Sequence, residues 1–407
     1  IMLIHFHSSP FLNSGEIRRI RNVDVFIASL ISDEIIEVEF YPIKKSAYVY
    51  SKGKFVLSDK VIKKYYVPMF PFLSRCKVAE VLNNHWMSIA LFVLCCIHKP
   101  TYLLGEYSVS FKSMGIARKF CRKLKCIVDM HGARPEEYLY SLKSTSKNWY
   151  WGLLEKYERD SSTLADIIIC QSFAMKRHIM DKYKADENKI LVYQCGVDTS
   201  SFYKNDEIRR KIRNDLRIAE DNIVFVYSGG LHAWQKVDKA IAFFAAYYSF
   251  DSHSKFLVLT HDVGLLEQVM DRQQVSKEIR ENVICKSLGF AEVPHYLNAA
   301  DVAFLFRDNV VMNAVASPTK LAEYMACGLP IISSEVAKHW ISDAALSYFL
   351  ILDEEKWPNF SSVREWISLC DRRGVQMYAN SYLSLDKDNR VAYNFFKNES
   401  VNHVINI

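Results

Sequence analysis

The sequence predicts an α/β fold of two domains, each a doubly wound parallel β-sheet with crossover helices on both faces. The chain has 407 residues, more than one hydrophobic core usually serves. Strand-like apolar runs alternate with helical patterns from end to end, as they do in parallel sheets. A polar, charged segment from Thr199 to Asn222 has no strong strand pattern and separates two alternating halves. Two Rossmann-like sheets joined at this segment satisfy all three observations.

In the first half, short apolar runs predict strands and longer periodic runs predict helices. The predicted strands are Met2 to His7, Ile35 to Tyr41, Tyr102 to Glu106, Cys126 to Met130, Asp166 to Cys170 and Ile190 to Gln194. The predicted helices are Glu16 to Leu30, Val78 to Ile97, Phe111 to Leu124 and Trp149 to Leu164. Between Ile43 and Pro71 the alternation is lost in a stretch rich in lysine and tyrosine and interrupted by proline. This stretch predicts an irregular insertion or a hairpin.

In the second half the same alternation resumes, and residues after about Glu354 are predicted to be helical. The predicted strands are Ile223 to Tyr227, Phe256 to Thr260, Val283 to Lys286, Val302 to Phe306 and Pro330 to Ser333. We therefore predict a first domain over residues 1–204 and a second over 205–380. Residues 381–407 are predicted to form a C-terminal helix that crosses back to the first domain.

The cysteines and the apolar runs indicate in which cellular compartment the chain is expected. The ten cysteines form no CxxC pair, and a chain of this size needs no disulfide framework, so a reducing cytosol is expected. The first residues, Ile1 to His7, lack the basic region of a secretory signal. The dense apolar stretch from Met87 to Ile97 is too short to span a bilayer unaided. It predicts a buried core helix or, alternatively, a shallow membrane-facing one.

Charge is unevenly distributed along the chain. Residues 1–204 hold 30 lysines and arginines against 20 acidic residues, whereas residues 205–407 hold 22 against 26. Basic clusters at 18–21 and 112–125 suggest an anionic partner, either lipid headgroups or a diphosphate-bearing substrate. Ordinary solvated helix faces explain the same clusters equally well. Nothing in the pattern points to nucleic acid.

The stretch from Asp301 to Ser334 is a complete strand, loop, helix, turn and strand. Ser317 suits the N-cap and Pro318 the first helical position, so we predict a helix over 318–327. Parallel sheets bind ligands beyond the carboxyl ends of their strands, where free helix amides attract phosphate. Lys320 would add a full charge there, and Glu323, one turn deeper, could accept hydrogen bonds from ribose hydroxyls. The alternative is a simple cap followed by a surface charge pair.

A second candidate ligand site comes after the strand that begins at Ile223. The strand is followed by a Ser-Gly-Gly turn. Gly229 and Gly230 have no side chains, so the backbone there can approach a ligand closely. Lys236 then lies in the first turn of the next helix and could clamp a phosphate. A Gly-Gly turn by itself more often marks a plain connection between a strand and a helix.

These residues resemble the retaining glycosyltransferases of family 4, which have the GT-B fold and build capsule, O-antigen and lipopolysaccharide glycans. Members carry Glu-x7-Glu and then Ala-x-Ala-x-Gly-x-Pro, and Glu323-YMACGLP matches the second glutamate together with the segment after it. The resemblance implies two Rossmann-like domains that face a cleft. It also implies that Glu323 contacts the donor ribose, and that the amides from Ser317 through Thr319 to Lys320 contact the diphosphate.

The chain departs from this family pattern at two positions. Val315 occupies the place of the first glutamate, and Gly230 that of an arginine whose companion lysine is retained as Lys236. A polysaccharide subgroup with similar Trp-Gln and Ser-Pro-Thr-Lys elements suggests substitutes. By that resemblance Arg307, just past a strand end, and Gln235 act at the phosphates.

The segment Asp129-MHGARPEE in the first half also resembles the family, which places a histidine near the transferred sugar after a strand. His131 is therefore expected to contact that sugar, with Gly132 and Arg134 in the same loop. Asn13, Ser14 and Gly15 occupy the place of the family's flexible loop near the acceptor.

The resemblance implies transfer of a sugar from a nucleoside diphosphate to a glycan or lipid-linked glycan, in the cytoplasm or peripherally on the inner face of the cytoplasmic membrane. The catalytic residues are expected to be His131, Lys236, Lys320 and Glu323, with neither metal nor cofactor required, because lysines, Arg307 and helix amides would stabilise the leaving diphosphate. One alternative is a nucleotide-sugar epimerase. Another is a non-catalytic sugar-nucleotide-binding subunit of an assembly complex, suggested by the missing glutamate and arginine.

Overall fold

The computed structural model describes residues 1–7, 23–42, 60–69, 77–143, 145–352 and 356–404. The chain divides into two compact units. Unit 1 comprises residues 1–194 with 389–407, and unit 2 comprises 195–388. The division therefore falls ten residues before the position 205 at which the second domain was predicted to begin. The C-terminal helix begins in unit 2, and its residues from Asn389 onward group with unit 1.

Unit 1 is built on a sheet of seven strands in the order β3-β2-β1-β4-β5-β6-β7, in which every pair is parallel. The strands are β1 Met2–His7, β2 Glu34–Pro42, β3 Val61–Met69, β4 Tyr102–Glu106, β5 Lys125–Met130, β6 Ile167–Cys170 and β7 Ile190–Val192. The central strands are apolar on both faces because helices cover both. All six strands predicted for this half are present.

The edge strand β3 corrects the prediction of an irregular insertion or hairpin between Ile43 and Pro71. Val61–Met69 pairs in parallel with β2, from Ile35 opposite Val61 to Pro42 opposite Met69. Most of its side chains are exposed or half-buried. An edge strand faces water along one side and tolerates lysine and proline, so it lacks the apolar run that marks a central strand.

The helices of unit 1 connect these strands. They are Ser29–Ile31 after a π-helical turn Val23–Ala28, Lys77–His98, Tyr107–Ser113, Gly115–Phe120, Arg134–Ser141, Trp149–Leu164 and Phe173–Tyr183, with a short 3-10 turn at Glu187–Lys189. The single helix predicted from Phe111 to Leu124 is two helices that meet at Met114. Of the helix predicted from Glu16 to Leu30, residues 16–22 lie outside the described residues.

Unit 2 holds a six-stranded parallel sheet in the order β10-β9-β8-β11-β12-β13. The strands are β8 Val224–Ser228, β9 Lys255–Leu259, β10 Val283–Lys286, β11 Val302–Leu305, β12 Ile331–Ser334 and β13 Phe349–Leu352. The first five were predicted. The edge strand β13 was not, because its four residues come after two 3-10 turns rather than a helix.

The helices of unit 2 are Asp206–Asp215, Val237–Tyr248, Val263–Arg272, Lys277–Arg280, Val293–Ala299, Val311–Ala314, Thr319–Ala326, Phe360–Leu369 and Arg372–Tyr382, and the C-terminal helix Leu385–Val404 comes after them. The 3-10 turns are Ala233–Gln235, Glu335–His339 and Asp343–Tyr348. Residues after Glu354 are helical as predicted, and Asp386 and Asp388 lie in the first turn of the last helix.

Both sheets change their direction of winding beside the first strand. In unit 1 this point lies between β1 and β4, and in unit 2 between β8 and β11. At such a point the loops after the two strands part and leave a crevice at the carboxyl edge of the sheet. The loop after β8 begins at Gly229, and the loop after β11 carries Arg307.

Candidate functional site

Gly229 lets the side chain of Lys320 lie against the backbone at the end of β8. Its φ of +120° is open to glycine only, and a Cβ there would stand 2.6 Å from Lys320 Cε and 2.8 Å from Nζ. The amide of Gly229 donates to the carbonyl of Leu259, which fixes the turn to β9. The turn therefore holds the lysine at the switch point of the sheet.

Lys320 is half-buried, and its hydrogen-bond partners among the described residues are neutral groups. Its Nζ donates to the hydroxyl of Tyr227 at 2.8 Å and to Gln235 Oε1 at 3.1 Å, and it lies 4.3 Å from the centre of the Tyr227 ring. The Tyr227 hydroxyl donates in turn to the carbonyl of Gly230 at 2.6 Å. Burial, together with the nearby charge of Arg307, lowers the pKa of Lys320 well below 10.5, although Glu323 opposes the shift.

Arg307 is a second half-buried cation at the same switch point. Burial lowers its pKa to about 10. Its Nε has no hydrogen-bond partner among the described residues, and its guanidinium lies 5.7 Å from the centre of the Trp340 ring. Within the described ranges neither Arg307 nor Lys320 forms an ion pair with a carboxylate. A bound anion would stabilise the charged forms of both side chains, which burial disfavours.

Lys236, by contrast, already has an anionic partner. Its Nζ lies 2.9 Å from Asp308 Oδ1, and its backbone adopts the left-handed conformation just before helix Val237–Tyr248. Lys236 is predicted to bind a phosphate. Asp308 competes with that phosphate, because the ion pair must break before Lys236 can bind it. Gln235 lies beside Lys320.

The helix predicted over 318–327 is present as Thr319–Ala326, but Ser317 does not cap it. Pro318 is at the N-cap position and Thr319 is the first helical residue, without a side-chain cap. Ser317 Oγ instead accepts a hydrogen bond from the amide of Cys195 at 3.1 Å. A proline N-cap has no side-chain oxygen to offer, and within the described part of the chain the N-cap gives the first amides of this eight-residue helix no side-chain acceptor.

Glu323 and Val315 are both buried. Glu323 is 7 % exposed on the Thr319–Ala326 helix, one turn from Lys320. Val315, in the place of the family's first glutamate, is 3 % exposed at the end of helix Val311–Ala314. Burial at this position suits valine, because a carboxylate there would need a partner to offset its desolvation. The ribose contact of Glu323 stays a prediction.

In unit 1, His131 is held by two carboxylates at the carboxyl edge of the sheet. Its Nε2 lies 2.5 Å from Glu106 Oε2 and 2.9 Å from Asp129 Oδ2. Burial by itself would lower the pKa of His131, but Asp129 and Glu106 outweigh it and raise that pKa to about 9. The imidazole is therefore positively charged at neutral pH.

The other site residues predicted for the first half are Gly132 and Arg134 in the same loop and Asn13, Ser14 and Gly15 near the acceptor. Arg134 Nη1 donates to Glu137 at 3.0 Å, and its guanidinium lies 5.1 Å from the centre of the Tyr107 ring. Gly132 lies against Glu137, and a Cβ there would stand 2.1 Å from the Glu137 carboxylate, so a larger residue would displace that side chain. The predicted acceptor residues Asn13, Ser14 and Gly15 lie outside the described residues.

Two groups of histidine and carboxylate are close enough to suggest a metal site. They are Glu106, Asp129 and His131, and Glu136, Glu158 and His178. Ligands at about 2.0–2.2 Å around a tetrahedral ion stand roughly 3.3 Å or more apart, so the 2.5 and 2.9 Å separations at His131 fit a shared proton better. In the second group Lys182 already neutralises Glu136 at 2.7 Å.

Several residues that shape these sites were not predicted from the sequence. Tyr227 and Asp308 hold the two predicted lysines in unit 2, and Glu106 and Asp129 hold His131 in unit 1. One signal was present: Glu106 ends a predicted strand, and strand ends carry ligand sites. The tyrosine had no such signal, because an apolar strand explains it equally well.

Comparison with known proteins identifies the fold. The model of the family described as Glycosyltransferase Family 4 matches residues 54–201. A D-inositol 3-phosphate glycosyltransferase from Geodermatophilus obscurus is 27% identical over 181 residues, which are 42% of this chain and 38% of the relative. The matched segment thus spans little more than a third of that relative.

Solved structures agree along nearly the whole chain. The Anabaena protein Alr3699/HepE in complex with UDP superposes with a TM-score of 0.68 at 12% identity, covering 98% of this chain and 100% of that one. WaaG, a glycosyltransferase involved in lipopolysaccharide biosynthesis, superposes with a TM-score of 0.62 at 12% identity, covering 96% and 98%. The two parallel-sheet units therefore form a GT-B fold like that of family 4 glycosyltransferases, as predicted.

Proposed function

We propose that the chain is a retaining, metal-independent glycosyltransferase that uses a nucleoside-diphosphate sugar. The observation that carries the proposal is the pair of half-buried cations at the switch point of unit 2, Lys320 and Arg307, which have no carboxylate partner among the described residues. A diphosphate supplies the missing anion. The uncapped start of helix Thr319–Ala326 adds free amides and the positive end of a helix dipole.

The same residues support the chemical step. As the bond from the sugar to the diphosphate breaks, negative charge grows on the departing oxygens, and fixed cations in a desolvated site stabilise it. These cations supply the charge that a divalent ion supplies elsewhere. We propose Glu323 for the ribose and His131 for the transferred sugar. Retention would result if the acceptor attacks from the leaving-group face and its proton passes to the departing phosphate.

A nucleotide-sugar epimerase would need free acid and base groups at the sugar. The carboxylate pair that suggested this alternative is occupied: Glu136 pairs with Lys182 at 2.7 Å, and Glu137 accepts from Arg134 at 3.0 Å. The epimerase therefore gains no support from the geometry. A non-catalytic subunit would need the same anion site, so binding experiments alone do not separate it from a transferase.

Nucleoside diphosphates are expected to raise the melting temperature of the chain. A ligand that binds only the folded state at a hundred times its Kd stabilises by about 2.7 kcal/mol, which is roughly 5–10 °C for a unit of this size. UDP comes first in the screen because the Anabaena relative holds it. The matching nucleoside without phosphates is the control and should shift the transition far less.

Turnover then separates the candidate functions. A transferase consumes the donor sugar only when an acceptor is present, whereas an epimerase converts it alone and a binding subunit never does. If no nucleoside diphosphate raises the melting temperature, the assignment of Lys320 and Arg307 to a diphosphate site is wrong.

We further propose a glycan or lipid-linked glycan of a cell-surface polysaccharide as acceptor, and docking on the inner face of the cytoplasmic membrane. Helix Lys77–His98 is long and apolar enough by composition to cross a bilayer, but one face packs on unit 1 through Met87, Leu91 and Cys95. The opposite face exposes a stripe at helical spacing. Its members are Val78, Leu82, Trp86, Ile89, Val93 and Ile97.

Basic side chains border this stripe. Phe120, 63 % exposed, meets Phe92 of the long helix at 5.7 Å between ring centres. The exposed cations that lie near Phe120 in the sequence are Lys112, Arg118, Lys119, Arg122 and Lys123. An apolar stripe beside lysine and arginine suits an anionic bilayer, which accepts apolar side chains and attracts nearby cations.

The chain is accordingly expected to sediment with phosphatidylserine vesicles at low salt and less at high salt. The double variant Ile89→Ser/Val93→Ser should partition at least about tenfold more weakly, because burying the exposed half of two such side chains contributes roughly 1.5–3 kcal/mol. Leu369→Ser, which changes an exposed apolar residue of unit 2, is the matched control and should bind like the parent. Equal sedimentation of parent and double variant would refute the docking surface.

A further inference from the structure

Glu106 connects two histidines from different strands. It ends β4, and its Oε1 lies 2.8 Å from Nε2 of His5 on β1, while Oε2 lies 2.5 Å from Nε2 of His131 after β5. The side chains of Glu106, His5 and His131 are at most 5 % exposed. Burial alone would raise the pKa of Glu106, but the two histidines hold it well below its usual range.

The hydrogen-bonding capacities of these groups fix the state of His131. Carboxylates only accept, so Nε2 must carry a proton to interact with Glu106 and Asp129. The raised pKa means that Nδ1 is protonated as well. That second N–H is buried and has no hydrogen-bond partner among the described residues. Buried donors in native proteins are nearly always paired, so an unpaired one needs an explanation.

The other neighbours of His131 do not satisfy Nδ1. The Tyr107 ring packs on the imidazole at 4.3 Å between ring centres, and the Arg134 guanidinium lies on the Tyr107 ring. Asp129 accepts a hydrogen bond from Nε2, and Glu106 forms a close ion pair with the same nitrogen. The imidazole is thus anchored through one nitrogen and presents the other as a charged donor.

We propose that Glu106 is a positioning residue for the transfer reaction: it orients His131 so that the Nδ1–H can donate to an oxygen of the transferred sugar, and His5 in turn orients Glu106. This inference rests on the proposed function. A charge-assisted hydrogen bond to a sugar hydroxyl is shorter and stronger than a neutral one and fixes its direction. Loss of Glu106 leaves Asp129 as the sole carboxylate at Nε2 within the described part of the chain.

The test compares Glu106→Gln with the parent in two independent measurements. The first is the pKa of His131, measured by NMR of the imidazole in the full chain; it should fall from about 9 toward the ordinary value near 6.5. The second is turnover against pH. The parent should stay active up to about pH 9, while the variant should lose kcat at lower pH and reach a plateau roughly tenfold lower. The Kd for the nucleoside diphosphate should not change.

Glu37→Gln is the matched control. Glu37 is also buried on the sheet of unit 1 and also faces a histidine, since its Oε1 lies 3.5 Å from His7 Nε2. This variant should keep the parent pH profile. If Glu106→Gln fails to fold, His5→Phe, which removes the anchor of Glu106, should produce a smaller change in the same direction.

Three results would overturn the proposal. They are an unchanged His131 pKa in Glu106→Gln, an equal change of pH profile in Glu37→Gln, and a stoichiometric metal ion that the parent holds and Glu106→Gln loses. The NMR measurement needs no turnover. If the chain has no transferase activity, the proposed function is wrong, but the NMR measurement still shows whether Glu106 positions His131.

Discussion

Replacing Lys320 with methionine is expected to lower kcat/KM for sugar transfer about 10- to 100-fold. A hydrogen bond between a charged donor and an anionic ligand contributes about 1.5–3 kcal/mol, and the loss should be largest when the leaving diphosphate carries most charge. Methionine has nearly the same length, so it can still lie against Gly229. The measurement is steady-state transfer from the best donor of the thermal screen.

The folded state should not suffer from this change. Burial lowers the pKa of Lys320, which means that the fold disfavours the charge. Stability therefore rises with pH between the lowered pKa and 10.5 in the parent, and Lys320→Met should lose this slope. Its melting temperature at neutral pH should equal or exceed that of the parent.

The control is Lys211→Met, because Lys211 is exposed on helix Asp206–Asp215. It should match the parent in both activity and stability. Full activity in Lys320→Met would remove Lys320 from the site. Low activity with a lower melting temperature would indicate a structural role instead.

Replacing Asp301 with alanine is expected to destabilise unit 2 by about 3–5 kcal/mol. Asp301 precedes β11 and pairs with Arg209 at 2.7 Å and with Arg213 at 2.6 Å. It also accepts the amide of Val224 at 2.8 Å, which ties β11 to β8. Since the side chain of Arg213 is fully buried, alanine would leave a buried charge without its anion.

Carbonyl groups alone cannot compensate for this loss. Arg213 also donates to the carbonyls of Ala299 and Ala219 at 2.9 and 3.0 Å, but these acceptors carry no net charge. The melting temperature of unit 2 should fall by about 10 °C or more in calorimetry. Asp221→Ala, which changes an exposed residue in the same unit, should not alter it. A drop of similar size in both variants, or in neither, would contradict this assignment.

The strands that the sequence predicts well are those whose burial is uniform. β1, β4 and β10 were predicted with their observed bounds, because apolar runs between turn residues have few alternative explanations. The edge strand β3 was missed because its exposed and half-buried side chains show no such run. The edge strand β13 was missed although Phe349–Leu352 is apolar, because it comes after two 3-10 turns rather than a helix. Whether such a segment becomes a strand depends on its pairing with a neighbouring strand, which is distant in sequence.

The candidate site also contains residues that local sequence predicts and partners that only the fold brings together. Gly229 and Lys320 were predicted from positions at a strand end and a helix start, which local sequence encodes. The predicted N-cap role of Ser317 was wrong, because its hydroxyl accepts from the amide of Cys195, which is distant in sequence. The predicted contact of Ser317 with the donor stays a prediction. The partners of Lys236 and His131, Asp308 and Glu106, depend on the fold.

The proposed function depends above all on a diphosphate that binds against Lys320 and Arg307 in unit 2. A crystal structure of the chain with a bound nucleoside diphosphate is the decisive measurement. We expect phosphate oxygens within about 3.2 Å of Lys320 Nζ and of the Arg307 guanidinium, beside the amides that open helix Thr319–Ala326. A nucleotide bound elsewhere, with Lys320 still donating to Tyr227 and Gln235 and with Arg307 Nε still unpaired, would contradict the proposal.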